Sequence, residues 1–273
     1  MLAYFTKTNV GYSHLKIDKC CQDYSACYHD EERTILTACD GHGGDLYIRS
    51  HLGSKFASNA AITVLKELKR SDFYRYSRQD ICNNLRLRIL CEWNRLVEED
   101  LNQSRIAKRE LARLSDGKIF KLKQTPEKAY GTTLNSAMVF GNKLVCVSIG
   151  DGGVFTVRKG VITLALPDDE ETVANVTYSM CQADAYQHLK VAIYDFADLD
   201  GVIVCTDGLI NPYQSISNFQ DKFVKPICIK MQQGKLQEIN DFITTIGEQI
   251  GIGDDVTFGI AIKTGISLRG YNR

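Results

Sequence analysis

The sequence predicts an α+β protein with layered antiparallel sheets. Three observations lead there. Short apolar runs rich in β-branched residues flank tight glycine turns, as Thr132–Phe140 and Lys143–Ile149 do around Gly141-Asn142. Apolar residues at three- to four-residue steps form two separate helical blocks rather than one helix after every strand. A regular β-α-β alternation is absent, which argues against a doubly wound parallel sheet.

In chain order, β-rich runs come first, at 24–28 and 33–39, and the second runs directly into Asp40-Gly41-His42-Gly43-Gly44. A strand ending in a glycine-rich turn is the plain reading. A helix follows with Leu52, Phe56, Ala60 and Leu68 on its buried face, then a longer one marked by Ile81, Leu85, Ile89, Trp93, Leu96 and Leu101. Its charged continuation, 105–113, reads as solvated, and the polar stretch 115–129 with Asp116-Gly117 and Pro126 reads as a loop. The hairpin around Gly141-Asn142 is followed by another, 154–158 and 161–166, around Lys159-Gly160. A polar segment near 167–190 precedes a strand, 201–205, that ends at Thr206-Asp207-Gly208. Two helices are expected next, near 217–232 with Pro226 starting or kinking part of it, and one carrying Leu236, Ile239, Phe242, Ile243, Ile246 and Ile250. Gly253-Asp254-Asp255 leads into a last strand, 256–262.

The 273 residues are read as a single domain. Lysine plus arginine and aspartate plus glutamate both number 33, so no broad electrostatic footprint exists for nucleic acid or an anionic membrane. The first residues, MLAYFTKTNVGY, lack the apolar core of a signal peptide, and no apolar run reaches transmembrane length. Ten cysteines without an export signal point to a reducing, cytoplasmic compartment and are read mostly as small buried apolar residues.

Four aspartates stand at strand ends: Asp40, Asp151, Asp207 and Asp254. A rigid sheet can aim such short side chains into one cleft, and hard anionic carboxylates suit magnesium or manganese rather than zinc. Asp-Gly is also a common turn dipeptide. Chance placement gives roughly one or two such pairs, and the chain has five. Asp116-Gly117 and Asp200-Gly201 are assigned to turns, while the other three each follow an apolar strand. Composition and spacing leave the site and turn readings both open.

The motifs add to this. GYSH at 11–14, CQD at 21–23, CDGHGG at 39–44, GTT at 131–133, IGDGG at 149–153, CTDGLIN at 205–211 and GDDVTFGIAI at 253–262 occur in this order. Together they closely resemble the PPM (type 2C) serine/threonine phosphatases, in a bacterial-type branch. The resemblance implies a four-layer α/β/β/α sandwich, two antiparallel sheets flanked by helix pairs. It implies a cleft holding two tightly bound manganese or magnesium ions, with a water between them as the attacking group. Asp40 then matches the carboxylate bridging both ions, the Gly41 carbonyl a ligand of one, and Asp207 and Asp254 ligands of the other. Asp23 matches an acidic residue binding through water, and Asp151 one that holds a third, weaker ion with Asp207. Two cations would neutralise a phosphate dianion, acidify water and hold attack in line, so no cysteine nucleophile is required.

His42, two residues after Asp40, is the candidate general acid. His14 is either a functional group or part of the cleft wall; His29, His51 and His188 have no such context and read as surface residues. One departure stands out. Many family members carry a phosphate-binding arginine four residues before the position of Gln22, where this chain has Asp18. Arg49, Lys16 or Lys19 is a possible substitute, each weighed against an ordinary solvated charge. Gln22 itself replaces a common glutamate. The resemblance implies a phosphoprotein substrate and a cognate serine/threonine kinase. The competing readings are a noncatalytic phosphatase-like regulatory module and a phosphatase of a small phosphorylated metabolite, with 167–200 as a flap near the cleft.

Overall fold

The computed structural model describes residues 1–167 and 177–271. Among them run ten strands: β1 (Leu2–Asn9), β2 (Tyr24–His29), β3 (Arg33–Cys39), β4 (Leu134–Phe140), β5 (Lys143–Ile149), β6 (Gly153–Arg158), β7 (Val161–Leu164), β8 (Lys190–Asp195), β9 (Gly201–Cys205) and β10 (Val256–Lys263). They form two five-stranded sheets, ordered β1-β10-β9-β6-β7 and β2-β3-β4-β5-β8, with every pairing antiparallel.

The strands read as nearly continuous apolar runs because both faces of each sheet are covered. Along β3, Ile35 and Cys39 face the helices Ser50–Lys66 and Arg78–Gln103, packing with Leu65, Leu85, Trp93 and Met138. Leu36 and Ala38 point the other way, into a middle layer with Val139, Cys146, Val154, Val204 and Ala261. On the far side Ile203, Phe258 and Ile260 meet Phe223, Ile227, Ile239 and Ile243 from the second helical block. The expected four layers are therefore present: helices, sheet, sheet, helices. Among the described residues no helix is long and apolar enough to cross a membrane.

Both expected hairpins form, with Phe140 opposite Lys143 and Arg158 opposite Val161. Pro226 lies within a continuous helical run, just after a π-helical segment, Gln220–Val224, and at the start of the α-helix Lys225–Gln232, consistent with its starting or kinking part of the helix. Three local readings are corrected. β1 was not expected; it pairs with β10 over eight residues, a partner about 250 positions away that no local pattern announces. β8 lies inside the segment read as a polar flap and continues the second sheet beyond β5; residues 168–176 of that segment lie outside the described residues. The stretch read as a loop carries the helix Asp116–Gln124, which buries only Leu122, so its periodicity is too thin to read.

Candidate active site

Sheet register brings the aspartates together. Tyr24 pairs with Cys39, so Asp23 and Asp40 extend side by side from the end of β2 and β3. Gly153 and Phe258 both pair with Cys205, so the chain ends carrying Asp151, Asp207 and Asp254 meet at one end of the other sheet. Carboxylate oxygens of Asp40, Asp151 and Asp207 lie within 4.8 Å of one another. Asp254 stands exposed at the rim, close enough for its charge to act on both Asp40 and Asp207. Asp23 is buried behind Asp40, where its Oδ2 accepts from the Thr206 hydroxyl at 2.9 Å.

The Gly-Thr-Thr motif holds Asp40 through its backbone. Thr132 Oγ1 and Thr133 N each donate to the Asp40 carbonyl at 2.8 Å, while Asp40 N donates to Thr133 Oγ1 at 3.0 Å. A Cβ on Gly131 would sit 2.3 Å from the Tyr47 ring and 2.9 Å from the His42 ring, so the glycine leaves room for both. His42 rests edge-on against Tyr47, ring centroids 4.8 Å apart, and its backbone N–H donates to the Gly131 carbonyl at 3.1 Å. At Gly41 the chain passes so close to Gln22 and Ser50 that a Cβ would meet their carbonyl oxygens at 2.5 and 2.7 Å.

Electrostatics suit the cluster to a cation. Burial, then the charges of Asp207, Asp254 and Asp151, push the Asp40 carboxyl up to about 7. Burial and the charges of Asp151 and Asp254 push Asp207 up to about 6. Asp23 is driven well above the usual range by burial and the adjacent Asp40. Carboxylates in such mutual repulsion, carrying only hard oxygen donors, fit divalent cations of the magnesium and manganese type. Burial pushes the His42 imidazolium down, with Asp151 opposing.

A second network backs the cleft. Asp255, buried at 2 % exposure, accepts from Gly11 N at 2.9 Å, Gln22 N at 2.6 Å and His14 Nδ1 at 2.9 Å. This carboxylate locks the Gly11 and Gln22 segments to the start of β10. With Nδ1 donating, His14 Nε2 faces Lys19 Nζ at 3.4 Å and Asp254 at 3.9 Å. Lys19 Nζ lies 3.6 Å from where a Gly43 Cβ would be. Gln22 donates to the His42 carbonyl at 3.0 Å, while its buried Oε1 has no partner among the described residues. Sequence reasoning overlooked Asp255; its one signal was the doubled aspartate in Gly253-Asp254-Asp255.

Arg49 is not a solvated charge. It is 4 % exposed, and its guanidinium binds Asp100 at 2.9 Å, Glu110 at 2.7 and 3.1 Å, and the Tyr130 hydroxyl at 2.7 Å. The segment 105–113, read as solvated, supplies one of those partners. Lys16 lies over the Tyr12 ring at 4.9 Å. Of the three cations weighed against the missing arginine, Lys19 is the one at the aspartate-glycine loop. His188, read as a surface residue, stacks on Tyr178 with ring centroids 3.5 Å apart.

The chain thus presents a sandwich of two antiparallel sheets with a carboxylate cluster suited to divalent cations at one end. The family profile described as protein phosphatase 2C matches residues 10–243. The chain belongs to this family and is a metal-dependent protein phosphatase. Three solved structures share the fold. The serine/threonine phosphatase of S. agalactiae is 18% identical with a TM-score of 0.60, covering 96% of this chain and 99% of that one. Serine/threonine phosphatase Stp1 from Staphylococcus aureus is 16% identical with a TM-score of 0.54, covering 97% and 96%. The catalytic domain of serine threonine protein phosphatase PstP, in complex with two manganese ions, is 18% identical with a TM-score of 0.56, covering 96% and 98%. No curated protein sequence matches the chain.

Proposed function

We propose that residues 1–273 act as one unit that hydrolyses phosphoserine and phosphothreonine in proteins, opposing a serine/threonine kinase in the cytoplasm. The observation that carries this reading is the convergence of Asp40, Asp151 and Asp207 oxygens within 4.8 Å. Asp40, the Gly41 carbonyl, Asp207 and Asp254 would hold two manganese or magnesium ions. Asp151 would join Asp207 at a third, weaker position, and Asp23 would act through water. When bound, the ions supply charge neutralisation of the phosphate and acidification of water. The protein's own work is to hold the reacting groups in line. Lys19 binds a non-bridging phosphate oxygen in place of the missing arginine, held toward the cleft by His14 and Asp255. His42 protonates the leaving oxygen of serine or threonine. A noncatalytic module has no use for this full set of carboxylates.

The test is turnover of p-nitrophenyl phosphate and a phosphothreonine peptide with manganese, magnesium or excess chelator. Chelation should abolish both activities. Asp40→Ala should remove far more activity than Cys39→Ser. Undiminished turnover in chelator would overturn the metal reading.

A further inference from the structure

A pocket of about 320 Å³ opens beside the aspartate cluster. Asp151 belongs to both, so the pocket adjoins the aspartate cluster. Besides buried Phe155, Leu164 of β7, Ile216 and the stacked rings of Tyr178 and His188, its lining includes the polar side chains of Gln187 and Lys190. Leu164 and Ile216 are 37% and 47% exposed, so two aliphatic side chains face solvent at the edge of an otherwise polar site. Water gains nothing from contact with them, whereas an apolar side chain placed there buries both surfaces.

Resting on the phosphatase reading above, we propose that this pocket is a specificity subsite. It takes a large apolar side chain (leucine, methionine or phenylalanine) flanking the phosphorylated residue of the substrate. An extended chain advances about 3.3–3.6 Å per residue. A pocket that shares Asp151 with the cluster therefore lies within one to three residues of the phosphate. A bare phosphate could not use it, whereas a peptide carrying an apolar residue beside the phosphorylated one could.

The test is a set of phosphothreonine peptides with leucine, alanine or glutamate at each of the three positions on either side. They are assayed for kcat/KM with wild type, Leu164→Glu and Ile216→Glu at saturating manganese. At one position, leucine should exceed alanine by roughly the 10–200-fold range typical of apolar pockets. Both glutamate variants should collapse that ratio toward one. Turnover of p-nitrophenyl phosphate by each protein reports separately on the phosphate site and on folding, so failure of the phosphatase reading shows there and not in the ratio. Equal rates for leucine and alanine at every position would overturn the proposal. So would a leucine preference that survives in both variants, or a preference for glutamate over leucine.

Discussion

Asp40 and Thr133 are bonded in both directions: Thr133 N donates to the Asp40 carbonyl at 2.8 Å, and Asp40 N donates to Thr133 Oγ1 at 3.0 Å. The pair ties the end of β3 to the start of β4 just where the chain leaves the sheet. Thr133→Val keeps the shape of the side chain and removes the acceptor, leaving the Asp40 N–H without its partner. That should cost about 1–3 kcal/mol, seen in calorimetry as a fall in Tm of about 2–4 °C per kcal/mol. Thr133→Ser should restore most of it. An unchanged Tm in the valine variant would show that the hydroxyl does not hold Asp40.

His42 is tested by the basicity of the leaving group. A seryl or threonyl oxygen leaves as a strongly basic alkoxide unless protonated, whereas nitrophenolate leaves unassisted. His42→Gln should therefore slow a phosphothreonine peptide by roughly 10²–10⁴-fold and p-nitrophenyl phosphate far less, with manganese binding retained. Equal losses on both substrates would instead assign His42 a water-positioning or structural role.

Lys19 should act on binding. Lys19→Met removes one charge-assisted hydrogen bond to phosphate and should raise KM by roughly ten- to a hundredfold with a smaller change in kcat. Asp18→Arg should do little while Lys19 is present. A normal KM in Lys19→Met would return the anchoring role to the metal ions alone.

The Arg49–Glu110 pair gives a pH-dependent stability. The hydrogen bond from Arg49 holds the Glu110 carboxyl below its ordinary value of 4.5. A depressed acid stabilises the fold above the unfolded value, and the contribution disappears as pH falls through the folded value. The Tm gap between wild type and Glu110→Gln should therefore be full at pH 7, shrink as pH falls below the ordinary value of 4.5, and close once pH passes the lower folded value. A gap that persists unchanged into acid would show that it does not come from the ion pair.

The sequence by itself placed four aspartates at strand ends, and three of them, Asp40, Asp151 and Asp207, converge in the structure. Asp40, Asp151 and Asp207 each follow an apolar run and Asp254 precedes one, and an apolar run is readable locally because both its faces are buried. The two helical blocks and both hairpins were legible for the same reason: their periodicity is short-range. Tertiary structure alone decided the rest. β1 depends on a partner at the opposite end of the chain, and β8 extends a sheet that begins about 160 residues earlier. The fate of each charge was equally hidden. Arg49 and Lys19 look alike as cations in a sequence, yet one is buried against Asp100 and Glu110 while the other reaches the glycine loop through His14. A charge is specified by what surrounds it, and its surroundings are assembled only when distant segments pack.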